Sequence, residues 1–192
     1  MNKFLDNIKI PEFVSRGGQK LKFALKEFNI DVKNKVCADL GCSTGGFTDY
    51  LLQNGAKKIY SVDTSKEVLE WKLKENEKVI FLGKTNALHL ELPEKVDFVS
   101  VDVGWTPQKL IIPKALTLLK EKGDIVSLVK PHYEIDKTLL KKGKVPREFL
   151  VKVLDKVKQD LMNLDINLSG IIESPILGQK GKNVEYLIWI KK

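Results

Sequence analysis

The sequence contains few of the residues that build cross-linked or metal-bound proteins. Among 192 residues there are two cysteines, Cys37 and Cys42, and two histidines. Two cysteines cannot form a disulfide framework, and they fall short of the ligand sets that hold structural zinc. Thiols of intracellular chains also stay reduced as a rule. We therefore expect two free cysteines and no metal centre.

Long apolar runs are also missing. No stretch approaches the ~18 consecutive apolar residues of a membrane-spanning helix, and residues 1–6 have neither the apolar core nor the cleavage site of a secretory leader. Hydrophobic residues make up 43% of the chain and charged residues 30%, as in ordinary globular proteins. These features predict a single cytoplasmic domain over 1–192, with no membrane partner, in which 1–34 form an N-terminal extension and helix.

Arginine is scarce, whereas lysine is abundant. Only two of the 33 basic residues are arginines, and with 25 acidic residues the net charge is +8. A positive field of this size favours polyanions such as RNA, because lysines that neutralise phosphates release condensed counterions. The same surplus also occurs as ordinary lysine enrichment of a solvated surface. The charge therefore permits an RNA partner without requiring one.

Short apolar strands alternate with helices from residue 35 onward. Strands that are apolar on both faces are typical of a parallel sheet with helices on both sides. An amphipathic helix over 16–28 comes before this region. The predicted strands are 35–40, 58–62, 79–82, 96–101 and 125–129, and the predicted helices are 47–53, 65–75 and 107–120.

The C-terminal part of the sequence has a different pattern. A long helix from 146 to about 163 is followed by strands at 166–172 and 184–190, joined by a glycine-containing turn at 178–183. Such a pair forms an antiparallel hairpin. A mostly parallel sheet that ends in an antiparallel hairpin is the methyltransferase variant of the doubly wound fold, whereas nucleotide oxidoreductases usually keep the sheet parallel. The predicted fold class is therefore α/β, Rossmann-like, of the class I methyltransferase type.

A glycine turn follows the first strand. Its spacing, Asp39-x-Gly41-x-x-x-Gly45, differs from the pyrophosphate-binding Gly-x-Gly-x-x-Gly. S-adenosyl-L-methionine has no phosphate, and an acid at Asp39 suits its amino group. Asp63 ends the second strand, where an acid can accept the ribose hydroxyls, and Asn86 follows the third. The predicted residues of an S-adenosyl-L-methionine site are Asp39, Gly41, Ser43, Thr44, Gly45, Gly46, Phe47, Asp63, Asn86 and Asp102.

Two charged residues end the next two strands. Asp102 follows 96–101, and Lys130 follows 125–129. The carboxyl ends of neighbouring parallel strands meet at one crevice, so we expect Asp102 and Lys130 to converge there. Two aromatic residues, Trp105 and Tyr133, flank this point, where they either stack on bases or simply pack.

Several segments together resemble a known family. Residues 15–21, 39–48, Asp102, 129–131 and 183–185 are similar to the FtsJ-related methyltransferase domain of the TlyA (hemolysin A) family. The resemblance covers nearly the whole chain from about residue 14. It implies ribose 2′-O-methylation of RNA, with ribosomal RNA as the expected substrate. The catalytic Lys-Asp-Lys-Glu tetrad that it implies falls on Lys20, Asp102, Lys130 and Glu185.

Two features depart from that family. Its members begin with an S4-type RNA-binding domain, for which this sequence has too few residues, and 103–108 differ from the family pattern.

In the implied mechanism Lys130 is the base and Asp102 orients it, while Lys20 and Glu185 complete the network. A lysine acts as a base at neutral pH only if it is desolvated or lies beside another cation.

Other functions remain open. A methyltransferase that acts on a small molecule or a protein would keep Asp39 and Asp63 but use the two lysines and Glu185 in structural ion pairs. A binding module without catalysis would grip RNA through its lysines. The spacing of the glycine turn disfavours a nicotinamide oxidoreductase.

Overall fold

A computed structural model describes residues 11–192 except 163, 165, 180 and 181. The expectations for 1–10, for the helix end at 163 and for part of the 178–183 turn lie outside the described residues. The strands are β1 Val36–Leu40, β2 Lys58–Val62, β3 Val79–Leu82, β4 Val96–Val101, β5 Leu119–Val129, β6 Asn167–Glu173 and β7 Tyr186–Lys191. The α-helices are α1 Gly17–Glu27, α2 Gly46–Gln53, α3 Trp71–Lys74, α4 Gln108–Leu118, α5 Pro131–Glu134 and α6 Arg147–Met162.

All seven strands belong to one sheet, in the order β3-β2-β1-β4-β5-β7-β6. Strands β1 to β5 pair in parallel, whereas β7 inserts between β5 and β6 and runs antiparallel to both. The carboxyl ends of β1, β2, β4 and β5 therefore lie at one edge of the sheet, where the chain order reverses between β1 and β4. The predicted fold class, including its antiparallel hairpin, is confirmed.

The core has two layers, one on each face of the sheet. Alternate residues of β1 point to opposite faces: Leu40 packs in one cluster with Ile112 of α4 and Val157 of α6. Cys37 packs in the other cluster with Leu21 of α1 and Leu51 of α2. Complete burial of such a side chain stabilises the fold by about 1.5–3 kcal/mol. Both cysteines are free, as expected, and both are also buried.

The predicted helix over 65–75 is wrong for most of its length, because only α3 is helical. Tertiary hydrogen bonds hold the rest of this segment in an irregular path. The Lys84 amide donates to the Ser65 carbonyl, and the Glu70 amide donates to the Thr44 carbonyl. These bonds join the segment to the residues after β3 and to the glycine turn.

Several predicted boundaries also move. The helix predicted over 107–120 runs from Gln108 to Leu118, and the strand predicted over 125–129 already begins at Leu119, which pairs with Val96. The register between β4 and β5 then shifts between Val96 and Phe98. Gly123 of β5 lies against the Leu119 side chain, and a Cβ on residue 123 would lie only 2.5 Å from Leu119 Cδ2. Strand β7 begins at Tyr186, so Glu185 lies in the segment before it. None of the described helices is long and apolar enough to cross a membrane.

Candidate active site

The glycine turn after β1 forms the floor of the site. Gly41 has a φ of 83°, and a Cβ at this position would lie 2.6 Å from the Asp102 carbonyl oxygen. Its amide and that of Cys42 both donate to the Val62 carbonyl at the end of β2. Only glycine allows this close approach, so the ends of β1, β2 and β4 are held together here.

Asp63 fixes the same turn from the side of β2. Its Oδ2 accepts a hydrogen bond from the Ser43 amide at 3.0 Å, and its Oδ1 accepts one from the Ser65 amide at 2.9 Å. Carboxylate oxygens can each accept more than one hydrogen bond, so both retain capacity for a ligand. The Asp63 carboxylate therefore shapes the turn while it also faces the adjoining cavity.

Asp39 lies beneath the turn and is completely buried. Its carboxylate accepts hydrogen bonds from Thr48 Oγ1 at 2.7 Å and Ser100 Oγ at 2.9 Å. Burial raises the pKa of Asp39 to about 7; the two hydroxyl hydrogen bonds oppose this rise, and the charge of Asp102 adds to it. Asp39 lines neither cavity described below, so any effect on a ligand passes through the turn above it.

A cavity of about 410 Å³ opens at the carboxyl ends of the strands. This volume lies within the range of roughly 300–1,000 Å³ that small-molecule sites occupy. Its walls come from the glycine turn, from the ends of β2, β4 and β5, and from the segment after β3. The cavity contains six of the residues predicted from sequence, namely Gly41, Ser43, Asp63, Asn86, Asp102 and Lys130.

A smaller cavity of about 130 Å³ adjoins the first and shares Gly41, Ser43 and Asp102 with it. It brings in four further predicted residues, Lys20, Thr44, Gly46 and Phe47. Gly45 lines neither cavity; with a φ of 100°, it packs against Leu69 and Leu73 from below.

Two ion pairs stand at these cavities. Lys130 Nζ lies 2.6 Å from Asp102 Oδ1 and donates to the Val103 carbonyl at 3.1 Å. Lys20 Nζ lies 2.5 Å from Glu185 Oε2, and both of these side chains are buried. Because Lys20 and Asp102 line the smaller cavity together, the structure brings the two pairs to one place. Glu185 lines neither cavity and is connected to the smaller one through its ion pair with Lys20.

An aromatic pair stands beside Lys130. The Trp105 and Tyr133 rings lie 5.1 Å apart between centroids, and Lys130 Nζ lies 6.0 Å from the Tyr133 centroid. Trp105 is 79% exposed and lines the larger cavity. Its φ of 64° lies in the left-handed region, which is unfavourable for a bulky side chain. The residue is thus held out at the rim of the cavity rather than packed in the core.

Some residues of the site had no assignment from the sequence. Arg16 and Gln179 line the smaller cavity, and Arg16 also donates to the Leu177 carbonyl. Arg16 belongs to the segment 15–21, and the resemblance of that segment to the TlyA family is a signal that could have identified it. No comparable signal in the sequence marks Gln179. Across the described ranges no group of three or more potential metal ligands is found.

The sheet order and the glycine turn define the class I methyltransferase fold, and similar proteins place the chain more closely. The chain belongs to the FtsJ-like methyltransferase family, whose model matches residues 13–192. It is 39% identical to YqxC of Bacillus subtilis in an alignment that covers 92% of this chain and 64% of YqxC. It is 35% identical to the 16S/23S rRNA (cytidine-2′-O)-methyltransferase TlyA of Mycobacterium tuberculosis, over 93% of this chain and 68% of TlyA. The resemblance to the TlyA family is confirmed.

Solved structures agree with this placement. A Streptococcus thermophilus protein that carries the hemolysin name superimposes with a TM-score of 0.91 at 35% identity, over 96% of this chain and 68% of that protein. The N-methyltransferase NodS of Bradyrhizobium japonicum, in complex with S-adenosyl-L-homocysteine, gives a TM-score of 0.63 over 92% of this chain and 85% of NodS. At 16% identity, NodS shares the fold alone. The family and the fold are those of S-adenosylmethionine-dependent methyltransferases.

Proposed function

We propose that this chain transfers the methyl group of S-adenosyl-L-methionine to a ribose 2′-hydroxyl of ribosomal RNA. The observation that carries the proposal is the convergence of two lysine–carboxylate pairs, Lys130–Asp102 and Lys20–Glu185, on adjoining cavities that share Asp102. These cavities lie at the edge of the sheet where ligands of doubly wound folds bind. We also propose that the continuous sheet forms one methyltransferase domain.

The residues present fit the cofactor. Gly41 and Ser43 line both cavities, so the glycine turn borders the space that a ligand would occupy. We infer that Asp63 accepts the ribose hydroxyls and that Asn86 faces the adenine, since both line the larger cavity. The smaller cavity, with Ser43 and Thr44, would take the methionine part. When bound, the cofactor supplies a methyl group on a sulfonium.

A calorimetric titration tests the cofactor assignment. Asp63→Ala should weaken the binding of S-adenosyl-L-homocysteine by at least about tenfold, or roughly 1.4 kcal/mol, because both the ribose acceptor and the Ser43 anchor are lost. Asp97→Ala removes a carboxylate at the opposite edge of the sheet and should leave the affinity unchanged. Equal affinities of the wild type and the Asp63 variant would remove this residue from the site.

In this reaction the protein has to align the ribose hydroxyl with the methyl group and to remove the proton of the hydroxyl. The hydroxyl oxygen forms a bond to the methyl carbon while the carbon–sulfur bond breaks, and its proton must leave. We assign the role of base to Lys130, whose ammonium must first give up a proton, and Asp102 Oδ1 holds its amine in position at 2.6 Å. The buried pair of Lys20 and Glu185 completes the hydrogen-bonded network beside the acceptor.

The substrate assignment rests on the relatives and on charge. TlyA of M. tuberculosis is named for cytidine 2′-O-methylation of 16S and 23S rRNA. The same 2′-O specificity is named for a relative from Campylobacter jejuni, 34% identical over 94% of this chain and 71% of its own length. A net charge of +8 suits a polyanionic substrate. A cytoplasmic location follows if ribosomal RNA is the substrate.

The direct test uses labelled S-adenosyl-L-methionine with ribosomal RNA, a ribosomal subunit, a protein extract and a small-molecule pool. We expect label in RNA alone, at one or a few nucleotides, and resistance of the adjacent phosphodiester to alkali, since that cleavage requires a free 2′-hydroxyl. Label on a base, a protein or a small molecule would refute ribose methylation. RNA binding without label from a wild type that binds the cofactor would favour a module without catalysis.

A further inference from the structure

A short hairpin rich in lysine lies between α5 and α6. The Lys141 amide donates to the Lys144 carbonyl at 2.9 Å, and the Lys144 amide donates to the Lys141 carbonyl at 3.0 Å. The two residues between them have φ angles of 51° at Lys142 and 75° at Gly143. Positive φ at both central positions is the pattern of a type I′ turn. We call residues 141–144 the lysine hairpin.

Lysine is an unusual choice for this turn. Position 142 requires the left-handed region, which asparagine, aspartate and glycine adopt far more readily. Lys141, Lys142 and Lys144 are all exposed and lie within four consecutive residues. Their like charges repel, so neither turn geometry nor electrostatics within the chain accounts for three lysines here.

Acidic neighbours do not neutralise the hairpin. Lys141 Nζ lies 3.7 Å from Glu148 Oε1, but both side chains are largely exposed, so this pair is weak. Within the described part of the chain, neither Lys142 nor Lys144 forms an ion pair. Two positive charges of the hairpin are therefore available to an external anion.

The hairpin is nevertheless held in place by one buried side chain. Asn183 is 5% exposed; its Nδ2 donates to the Gly143 carbonyl at 3.1 Å, and its Oδ1 accepts from the Val145 amide at 3.2 Å. Such a two-sided contact fixes the backbone of a surface loop that has little apolar packing of its own. The lysines are thus presented at a defined position.

The same asparagine connects the hairpin to the active site. Asn183 stands two residues before Glu185, which pairs with Lys20, and its carbonyl accepts a hydrogen bond from the Gly178 amide. Gln179, next to Gly178, lines the smaller cavity. Hydrogen bonds through Asn183 and Gly178 therefore link the lysine hairpin to the part of the chain that reaches the cavity wall.

We propose that the lysine hairpin binds backbone phosphates of the RNA strand whose ribose enters the active site. The proposal rests on the proposed function and adds a recognition surface to it. Lysines contact phosphates without reading sequence, so the hairpin sets the position and direction of the strand rather than the choice of base. Its link through Asn183 places that contact at a fixed distance from Lys20 and Glu185.

The test compares two pairs of lysine-to-glutamine changes. The first variant is Lys142→Gln with Lys144→Gln. The second is Lys57→Gln with Lys122→Gln, two exposed lysines near the amino ends of β2 and β5, on the edge of the sheet away from the cavities. Both variants lose the same net charge, so a diffuse field would weaken RNA binding equally in each.

The measurement is binding of a ribosomal RNA fragment at several salt concentrations. At low salt the hairpin variant should bind at least about tenfold more weakly, and the slope of log affinity against log salt should become shallower by about 1.4 for two lost contacts to a single strand. The control pair should change both quantities much less. Unchanged binding of S-adenosyl-L-homocysteine would show that each variant is folded.

Three outcomes would overturn the proposal. Equal losses in the two variants would mean a diffuse field, and unchanged RNA binding in the hairpin variant would mean that the lysines do not touch RNA. In both cases a wild type that still methylates ribosomal RNA keeps the proposed function intact. A wild type that neither binds nor methylates RNA would refute the function and the hairpin together.

Discussion

At the scale of single residues, Asp39 places an ionisable group under the glycine turn. Burial raises its pKa to about 7 in the folded chain, whereas an unfolded chain has an aspartate pKa of about 3.9. The folded state therefore holds this proton more tightly. The stability that this proton contributes is fully present below pH ~3.9 and is lost as pH rises through about 7.

Asp39→Asn removes this titration while it keeps the shape of the side chain. We expect the free energy of unfolding of the variant to fall less, between pH 4.5 and 7.5, than that of the wild type. Urea unfolding at the two pH values measures this difference. Asp136→Asn is a control that should leave this change as it is in the wild type, because hydrogen bonds from Thr138 lower the pKa of that exposed carboxyl and it stays ionised across this pH range. An unchanged pH dependence in Asp39→Asn would contradict the burial argument.

Trp105 is exposed at the rim of the cavity and held there in an unfavourable backbone conformation. If it stacks on a base, Trp105→Ala should cost about 1–3 kcal/mol of RNA binding, which is roughly 5- to 150-fold in affinity. Cofactor affinity should stay the same, because stacking concerns only the acceptor. Fluorescence titration with RNA and calorimetry with S-adenosyl-L-homocysteine measure the two affinities.

The matched control for this experiment is Trp71→Ala. Trp71 is 71% exposed but lies in α3 and lines neither cavity of the site. Its loss should leave RNA affinity unchanged. If the two tryptophan variants bind RNA equally well, Trp105 only packs on Tyr133.

At the scale of secondary-structure elements, Gly41 lets three strands meet. Gly41→Ala would place a Cβ 2.6 Å from the Asp102 carbonyl and require a left-handed alanine. Gly55 has a similar φ of 77°, but a Cβ at this position would lie 3.5 Å from its nearest neighbour, Lys33 Cγ. Gly55→Ala should therefore show only the backbone cost of about 1–2 kcal/mol, and Gly41→Ala should lose a further 1–3 kcal/mol or so from overpacking.

Chemical denaturation of both glycine variants gives these differences. Gly41→Ala should also weaken cofactor binding, since Ser43 and the backbone of the turn must shift. Equal stabilities of the two variants would mean that the turn relaxes freely and does not couple β1 to β4.

How far the sequence predicts an element depends on what holds that element. Strands β2, β3 and β4 match their predicted ranges, because a buried parallel strand is a short apolar run with polar residues at both ends. The segment 65–75 has helical periodicity, yet hydrogen bonds with Lys84 and Thr44 override it. Such tertiary contacts leave no periodic signal in the sequence.

At the scale of the whole molecule, the site joins distant parts of the chain. Lys20 and Glu185 are 165 positions apart and meet only because α1 and the segment before β7 pack on the same end of the sheet. Strand ends predict that Asp102 and Lys130 converge, which follows from the α/β alternation alone. The second pair came from resemblance to a family, because nothing local marks two residues so far apart as partners.

We propose that Lys20, Asp102, Lys130 and Glu185 together catalyse ribose methylation. Lys130→Ala should retain cofactor affinity but lower the methylation rate by roughly 10²–10⁴-fold, the usual range for a lost acid–base group. Lys130→Arg should be nearly as slow, because a guanidinium does not give up its proton at any workable pH. Lys120→Ala is the control, since Lys120 pairs with Asp97 at 2.7 Å at the opposite end of the same two strands.

The most direct measurement is the single-turnover rate of methyl transfer to ribosomal RNA at saturating cofactor for the wild type and these three variants. We predict a large loss in both Lys130 variants and none in Lys120→Ala. A rate close to the wild type in Lys130→Ala would contradict the catalytic tetrad and, with it, the geometric case for a ribose hydroxyl as the acceptor.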